Sequence, residues 1–300
     1  MPSTTAIAGA SGRCPASILA CPEGSGTGND ATRNDRFGRQ AHAGVTHAGA
    51  THAGLTGVRC LLTALLLAGS AAAAVPERSP ELPGMGTTDP RQRVDAHQPP
   101  WRAVARLLVP GIARCTAVVV APRLAVTAAH CLWSRAGARW VPAGSVHVLP
   151  GYAAGTFSAH LLANGYRVAP GYDPVDPDGT RGADLALVSL SGPAAAVLAL
   201  AGTPQPPGTA AVLGGYNQDR AEVIEADFRC AITGIGTDRQ GRPLLVHDCS
   251  ATRGTSGGPL LVREPSGDLA LAGVQVGAPE GRAGGVAVPI TVLQRLLTQH

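Results

Sequence analysis

Three short segments carry side chains that could do chemistry together. Thr127-Ala-Ala-His130-Cys131 follows an apolar run, Gly182-Ala-Asp184-Leu-Ala-Leu-Val opens another, and Gly254-Thr-Ser256-Gly-Gly-Pro-Leu is a glycine-rich turn leading into a third. Each has an innocent reading. An Ala-Ala-His-Cys stretch can be an ordinary buried turn, an aspartate at a strand start usually caps or meets solvent, and Thr-Ser-Gly-Gly turns are common in β proteins. Together they offer an imidazole, a carboxylate and a hydroxyl. A hydroxyl is a weak nucleophile at neutral pH and needs an adjacent base, which an imidazole can be. The glycines have a mechanical use as well. Main-chain N–H groups converge on a developing oxyanion only in a tight turn without side chains in the way.

Such segments need strands to hold them. From about Val94 onward, short apolar runs predict strands over 103–108, 115–120, 124–127, 145–149, 184–190, 210–213, 228–232, 244–247, 259–262, 269–276 and 285–288. They are separated by turn signals such as Val109-Pro-Gly, Asp176-Pro-Asp-Gly and Gln205-Pro-Pro-Gly. Many short strands at that spacing predict an all-β barrel or sandwich. Only the end of the chain looks helical: Val292, Leu293, Leu296 and Leu297 share a face opposite Gln294, Arg295, Thr298 and Gln299, and Pro289 suits the entry. A βαβ architecture fails for want of intervening helices.

Composition points the same way. In 300 residues, aromatic side chains are 3% while there are 39 Gly and 25 Pro, a balance that favours strands and turns. The formal charge of +4 is small, every basic residue is arginine, and no basic stripe of the kind nucleic acid requires is present. Of the seven cysteines, Cys14, Cys21 and Cys60 lie early and Cys115, Cys131, Cys230 and Cys249 later. None forms a C-x-x-C pair, so zinc and redox-motif readings have little support, and no metal or cofactor is expected. Arg59, the apolar run from Cys60 and the small residues to Ala74 read as a signal peptide over 58–74. That segment is short of the roughly 20 apolar residues of a spanning helix, so no stable membrane anchor is expected. Upstream, 1–57 is low-complexity, with a Thr-His-Ala-Gly-x repeat bearing His42, His47 and His52. It reads as disorder or as a start placed too early, with Val58 or Leu55 as initiator; a metal tract there would have no folded cage. The Pro/Glu/Arg-rich stretch 75–93 reads as a linker or short propeptide, leaving 94–300 as the folded domain. Without the leader four cysteines remain, an even number that suits two bridges in an oxidising compartment. A secreted or periplasmic bacterial protein is expected.

The three segments together resemble the trypsin-like (chymotrypsin-fold) serine peptidases, in the order His, Asp, Ser and at separations of about 54 and about 72 residues. The resemblance spans roughly 94–300, including the Pro100-Trp101 entry, the Leu271-Ala-Gly-Val-Gln-Val-Gly277 strand and the closing helix. It implies two packed six-stranded Greek-key β-barrels with a C-terminal helix, and a secreted, monomeric endopeptidase acting on polypeptides. It also implies roles. His130 takes the Ser256 proton and later gives it to the leaving amine, Asp184 fixes the imidazole tautomer, and the amides of Gly254 and Ser256 form the oxyanion hole. In this family a cysteine on the strand before the histidine bridges to the one after it, which implies Cys115–Cys131. Cys230 and Cys249 flank Asp238-Arg-Gln-Gly-Arg on two strand candidates, and a cross-hairpin bridge between them is expected.

Two departures shape expectation. Vertebrate-type trypsins have an aspartate before the catalytic serine to receive the new N-terminal ammonium, whereas this chain has Thr255, so activation by that ion pair is not expected. The chain looks more like the bacterial glutamyl-endopeptidase branch, yet Gln275 stands where that branch often carries a histidine reading the substrate glutamate. Cleavage after Arg or Lys would need a buried carboxylate about six residues before the nucleophile. Ser250 stands there, and Asp248 serves only if the register shifts. With Gly277 and Gly285 as walls, the expected pocket is uncharged and takes small or apolar side chains. The competing expectations are a non-catalytic binding module, an esterase on the same fold, and a structural envelope protein anchored through 60–74.

Overall fold

The structure, a computed structural model, describes residues 82–298. The expected low-complexity tract, the leader, its cysteines and residues 75–81 of the linker lie outside the described residues. The chain enters with β1 (Gln92–Arg93) and a 3-10 turn at Trp101–Ala103. β2 (Val104–Val109), β3 (Ala113–Ala121) and β4 (Leu124–Thr127) follow as an antiparallel meander. β5 (Trp133–Ser134) and β6 (Arg139–Trp140) form a small separate hairpin. β7 (His147–Pro150), β8 (Leu161–Val168) and β9 (Ala186–Leu190) then complete a closed barrel in the order β2-β3-β4-β9-β8-β7.

The second half repeats the plan. β10 (Ala210–Gly215), β11 (Glu225–Thr237), β12 (Pro243–His247), β13 (Pro259–Arg263), β14 (Leu269–Gly277) and β15 (Gly285–Pro289) run β11-β10-β13-β14-β15-β12 and close through β11–β12. β4 beside β9 and β10 beside β13 are the non-consecutive neighbours of Greek-key connectivity. The expected pair of six-stranded barrels is what the chain forms. α1 (Ile290–Thr298) follows Pro289 and buries Ile290, Leu293 and Leu296.

Large aliphatics fill both interiors. Leu107, Leu132, Leu185, Leu187 and Leu190 are fully enclosed in the first half, and Leu213, Ile232, Leu260, Leu261 and Leu271 in the second. Each contributes roughly 1.5–3 kcal/mol by leaving water. Besides the two-residue strands β1, β5 and β6, which no predicted run covers, two strand features differ from expectation. β8 is absent from the predicted set; Asn164-Gly165 is a local turn signal, and the ladder absorbs Asn164 at a register shift between Ala163 and Gly165 against β9. β11 runs far beyond 228–232 because Gly234 sits at a similar irregularity opposite β12.

The described part of the expected linker, 82–93, lies against the second barrel. β1 pairs with β11 at Gln92↔Ala226 and Arg93↔Glu225, and Arg91 is buried among Asp89, Asp219 and Glu225. Among the described residues no helix is long and apolar enough to cross a membrane.

Candidate active site

β4 delivers Ala128 into a 3-10 turn, Ala129–Leu132, that carries His130. Small residues permit this. Ala128 and Ala129 are fully buried, so the turn enters the protein while the imidazole stays partly exposed. Cys131 is tied to Cys115 on β3, with Cα atoms 6.3 Å apart, which pins the turn from behind. This pair is the one the family resemblance implied, and Cys230–Cys249 is the expected cross-hairpin bridge.

Asp184 follows a second 3-10 turn, Arg181–Ala183, two residues before β9 begins. The turn is anchored from the other barrel: Asp238 Oδ2 accepts the Gly182 N–H at 3.0 Å. Burial would raise the Asp238 carboxyl, but the N–H groups of Arg242, Gly182 and Gln240, and the Arg242 charge, hold it below its ordinary value. Gly182 suits this approach, since a Cβ there would meet Arg242 Cβ at 2.5 Å. Asp184 then contacts residue 130 twice. Oδ1 accepts the His130 backbone N–H at 2.9 Å, and Oδ2 lies 2.6 Å from Nδ1. A carboxylate only accepts, so Nδ1 carries the proton and Nε2 is left as the acceptor.

Ser256 sits in the turn entering β13, in the same cleft as His130 and Asp184. The geometry of that turn is set by its neighbours. Gly254 has φ +92°, and a Cβ there would meet Tyr216 O at 2.3 Å; at Gly257, φ +82°, it would meet Thr116 O at 2.1 Å. Both positions therefore require glycine. The N–H groups of Thr255, Gly257 and Gly258 are spent on Thr252 O, Gln275 O and Thr255 O. Those of Gly254 and Ser256 donate to no acceptor among the described residues. Their peptide planes are nonetheless fixed, because Gln218 N–H holds Arg253 O at 2.6 Å and Gly258 N–H holds Thr255 O at 2.7 Å. Amides in fixed planes with no acceptor among the described residues are donors available to a negative oxygen.

One strand ties both halves of this arrangement together. Beside Cys115, the buried Thr116 donates its Oγ1–H to Gly254 O at 2.9 Å and its N–H to Ser256 O at 2.8 Å. Its Oγ1 also accepts the Tyr216 N–H. Residue 255 has a polar partner too: Thr255 Oγ1 donates to Asn217 Oδ1 at 2.8 Å, and the same oxygen accepts Thr252 N–H at 2.9 Å. Nothing in their residue types marked Thr116 or Asn217 in the sequence.

The cleft has a volume of about 240 Å³. Of the expected pocket residues, Gln275 and Gly277 line it, whereas Ser250 and Gly285 do not. Ser250 is buried, its N–H on Asp227, and Gly285 lines a neighbouring recess with His247. Gln275 bridges inward, with Oε1 2.7 Å from His247 Nε2 and its Nε2–H on Gly277 O at 2.9 Å. Burial holds the His247 imidazole below its ordinary pKa, only partly offset by this hydrogen bond, so it is neutral and donates to Gln275. The rim carries charges not singled out in the sequence: Arg135, Arg181 paired with Asp178, and Arg253 paired with Glu280 at 3.5 Å. Pro83, from the segment before the barrels, also lines the cleft. Cys115, His130 and Cys131 lie close enough to suggest metal ligands, but both sulfurs are in a disulfide.

Two closed Greek-key barrels with a Ser, His and Asp in one cleft define the chymotrypsin-like fold. The family model for the trypsin-like peptidase domain matches residues 115–269, and the chain belongs to that family of peptidases. Among solved structures it is similar to a Glu endopeptidase in complex with MPD, at TM-score 0.57 and 18% identity over 71% of this chain and 97% of that one. It is also similar to the VesB protease of Vibrio cholerae, at TM-score 0.55 and 18% identity over 70% of this chain and 66% of that one. At such identity these likenesses speak for the fold alone. No curated protein matches the sequence.

Proposed function

We propose that this peptidase is a serine endopeptidase working through Ser256, His130 and Asp184 and an acyl-enzyme intermediate. The observation that carries the reading is the double contact of Asp184 with residue 130, which leaves Nε2 as a free acceptor in the cleft that Ser256 lines. Ser256 Oγ attacks the scissile carbonyl carbon while its proton passes to His130 Nε2. The carbonyl oxygen becomes an oxyanion received by the Gly254 and Ser256 amides. Collapse breaks the C–N bond, the amine leaves with the proton from His130, and an ester to Ser256 remains. Water then attacks that ester with His130 again as base, and His130 returns the proton to Ser256 Oγ as the acyl C–O bond breaks and the acid leaves. Asp184 stabilises the imidazolium in both halves.

For the side chain before the cleaved bond, the reading is a small or apolar group. It rests on the neutral Gln275–His247 pair, of which Gln275 lines the cleft. Cleavage sites in a peptide library should be dominated by such residues. A library dominated by Asp or Glu would contradict this and assign the reading to Arg181, the cation packed against Gly277. The esterase alternative is separated by comparing acyl-ester and peptide substrates at equal concentration, with Ser256→Ala as the control. Peptide hydrolysis lost in the variant supports the endopeptidase. Activity on esters alone contradicts it.

A secreted or periplasmic site of action fits two disulfides, which persist in oxidising compartments. N-terminal sequencing of exported protein tests the leader over 58–74 and the length of the segment kept before the barrels.

A further inference from the structure

Arg91 belongs to the stretch that reads as linker, yet its side chain is 2% exposed and fully engaged. Nη1 and Nη2 donate to the two carboxylate oxygens of Asp219 at 3.1 and 2.7 Å, while Nε and Nη2 donate to Asp89, both at 2.9 Å. Glu225 Oε2 lies 3.7 Å from Nη1. A paired fork of this kind fixes orientation as well as distance. Burial would discharge the guanidinium, but Asp89 and Asp219 outweigh it and hold its pKa above the ordinary value.

What Arg91 holds is the decisive point. Asp219 is in the short 3-10 turn Gln218–Arg220, directly after Asn217. Asn217 Oδ1 accepts from Thr252 N–H and Thr255 Oγ1–H, and Gln218 N–H holds Arg253 O. These three contacts orient the turn 252–255, including the peptide plane whose N–H is that of Gly254. At residue 255, where an aspartate would answer a cation directly, stands a neutral threonine bonded to Asn217. Arg91 reaches that turn through Asp219, on the loop that holds it.

We infer that Arg91 is a positioning residue for the oxyanion hole, acting through Asp219 and the 217–220 turn. The inference rests on the serine-peptidase reading and adds that the segment before the barrels is a working part of the enzyme. Processing that removed Arg91 would leave the barrels intact and the hole unheld.

The test uses the full chain with Arg91→Met and Asp219→Asn, wild type and Ser256→Ala alongside, assayed well below each melting temperature. The readouts are kcat, KM and affinity for a peptide boronate. Boron accepts the Ser256 oxygen, the Ser256 proton passes to His130, and the tetrahedral adduct places an oxygen in the hole. Arg91→Met should lower kcat about 10-fold to 100-fold, less than the loss of a donor outright, with KM within about twofold and boronate affinity falling in step with kcat. Asp219→Asn, at a partly exposed site, should fall in the same direction and decides the matter if Arg91→Met does not fold. Folded variants with kcat and boronate affinity within about twofold of wild type overturn the inference, even if their melting temperatures drop. Wild type inactive on peptides would instead overturn the serine-peptidase reading itself.

Discussion

The proposed mechanism turns on Asp184, which meets both the backbone and the ring of His130. Asp184→Asn would put an amide N–H against the imidazole or force the wrong tautomer. Turnover should fall about 10⁴-fold with substrate affinity little changed, as steady-state kinetics would show. Gly254→Ala makes a different prediction. Its Cβ would lie 2.3 Å from Tyr216 O, so the turn must shift and the hole open. A loss of about 10²-fold or more in kcat is expected, with the fold intact by circular dichroism. At this scale the sequence offered a rare combination, His, Asp and Ser in order with glycines about the serine, and the three side chains line one cleft. It was silent on Thr116 and Asn217. Threonine and asparagine are common, and what distinguishes these two is which carbonyl or N–H they meet across the chain.

Elements transmit these positions, and β3 does the most. Cys115 fixes the His130 turn and Thr116 fixes the Ser256 turn, so one strand registers the proposed base against the proposed nucleophile. Replacing Cys115 and Cys131 with serine should cost about 3 kcal/mol for a loop of 16 residues, read as a lower denaturant midpoint. Thr116→Val keeps the shape but leaves Gly254 O and Tyr216 N–H without a partner. It should cost about 1–3 kcal/mol and lower kcat as well. Most strands were readable because apolar runs between Gly/Pro turns leave few alternatives. β8 was hidden because Asn164-Gly165 is locally a turn signal, and only the neighbouring β9 ladder makes it a strand. The stretch 82–93 was hidden for a related reason. It has no apolar periodicity, and its anchor is a buried ion cluster whose acids at 219 and 225 are distant in sequence.

Across the whole molecule, neutral and charged buried groups set the response to pH. His247 is held below its ordinary value by burial, so below about pH 6.5 the unfolded chain binds a proton that the folded one refuses. Stability from this group is full above that pH and declines as pH falls through it. The melting temperature should drop between about pH 7.5 and 5.5, and His247→Gln should flatten that slope; an unchanged slope contradicts the assignment. Asp89 is depressed chiefly by the Arg91 hydrogen bond, and Asp219 by Arg91 against the opposing effect of burial. Their contribution is present above about pH 4 and lost as pH falls through the depressed values, so a second acid loss should follow. The two barrels meet at the site, the first supplying His130 and Asp184 and the second supplying the Ser256 turn. The most direct test of the account is where a fluorophosphonate forms its covalent bond. Peptide mapping by mass spectrometry should find the phosphonyl group on Ser256 in the wild type, with labelling lost in Ser256→Ala and greatly slowed in His130→Ala. A label on another residue, or peptide hydrolysis that survives Ser256→Ala, would contradict it.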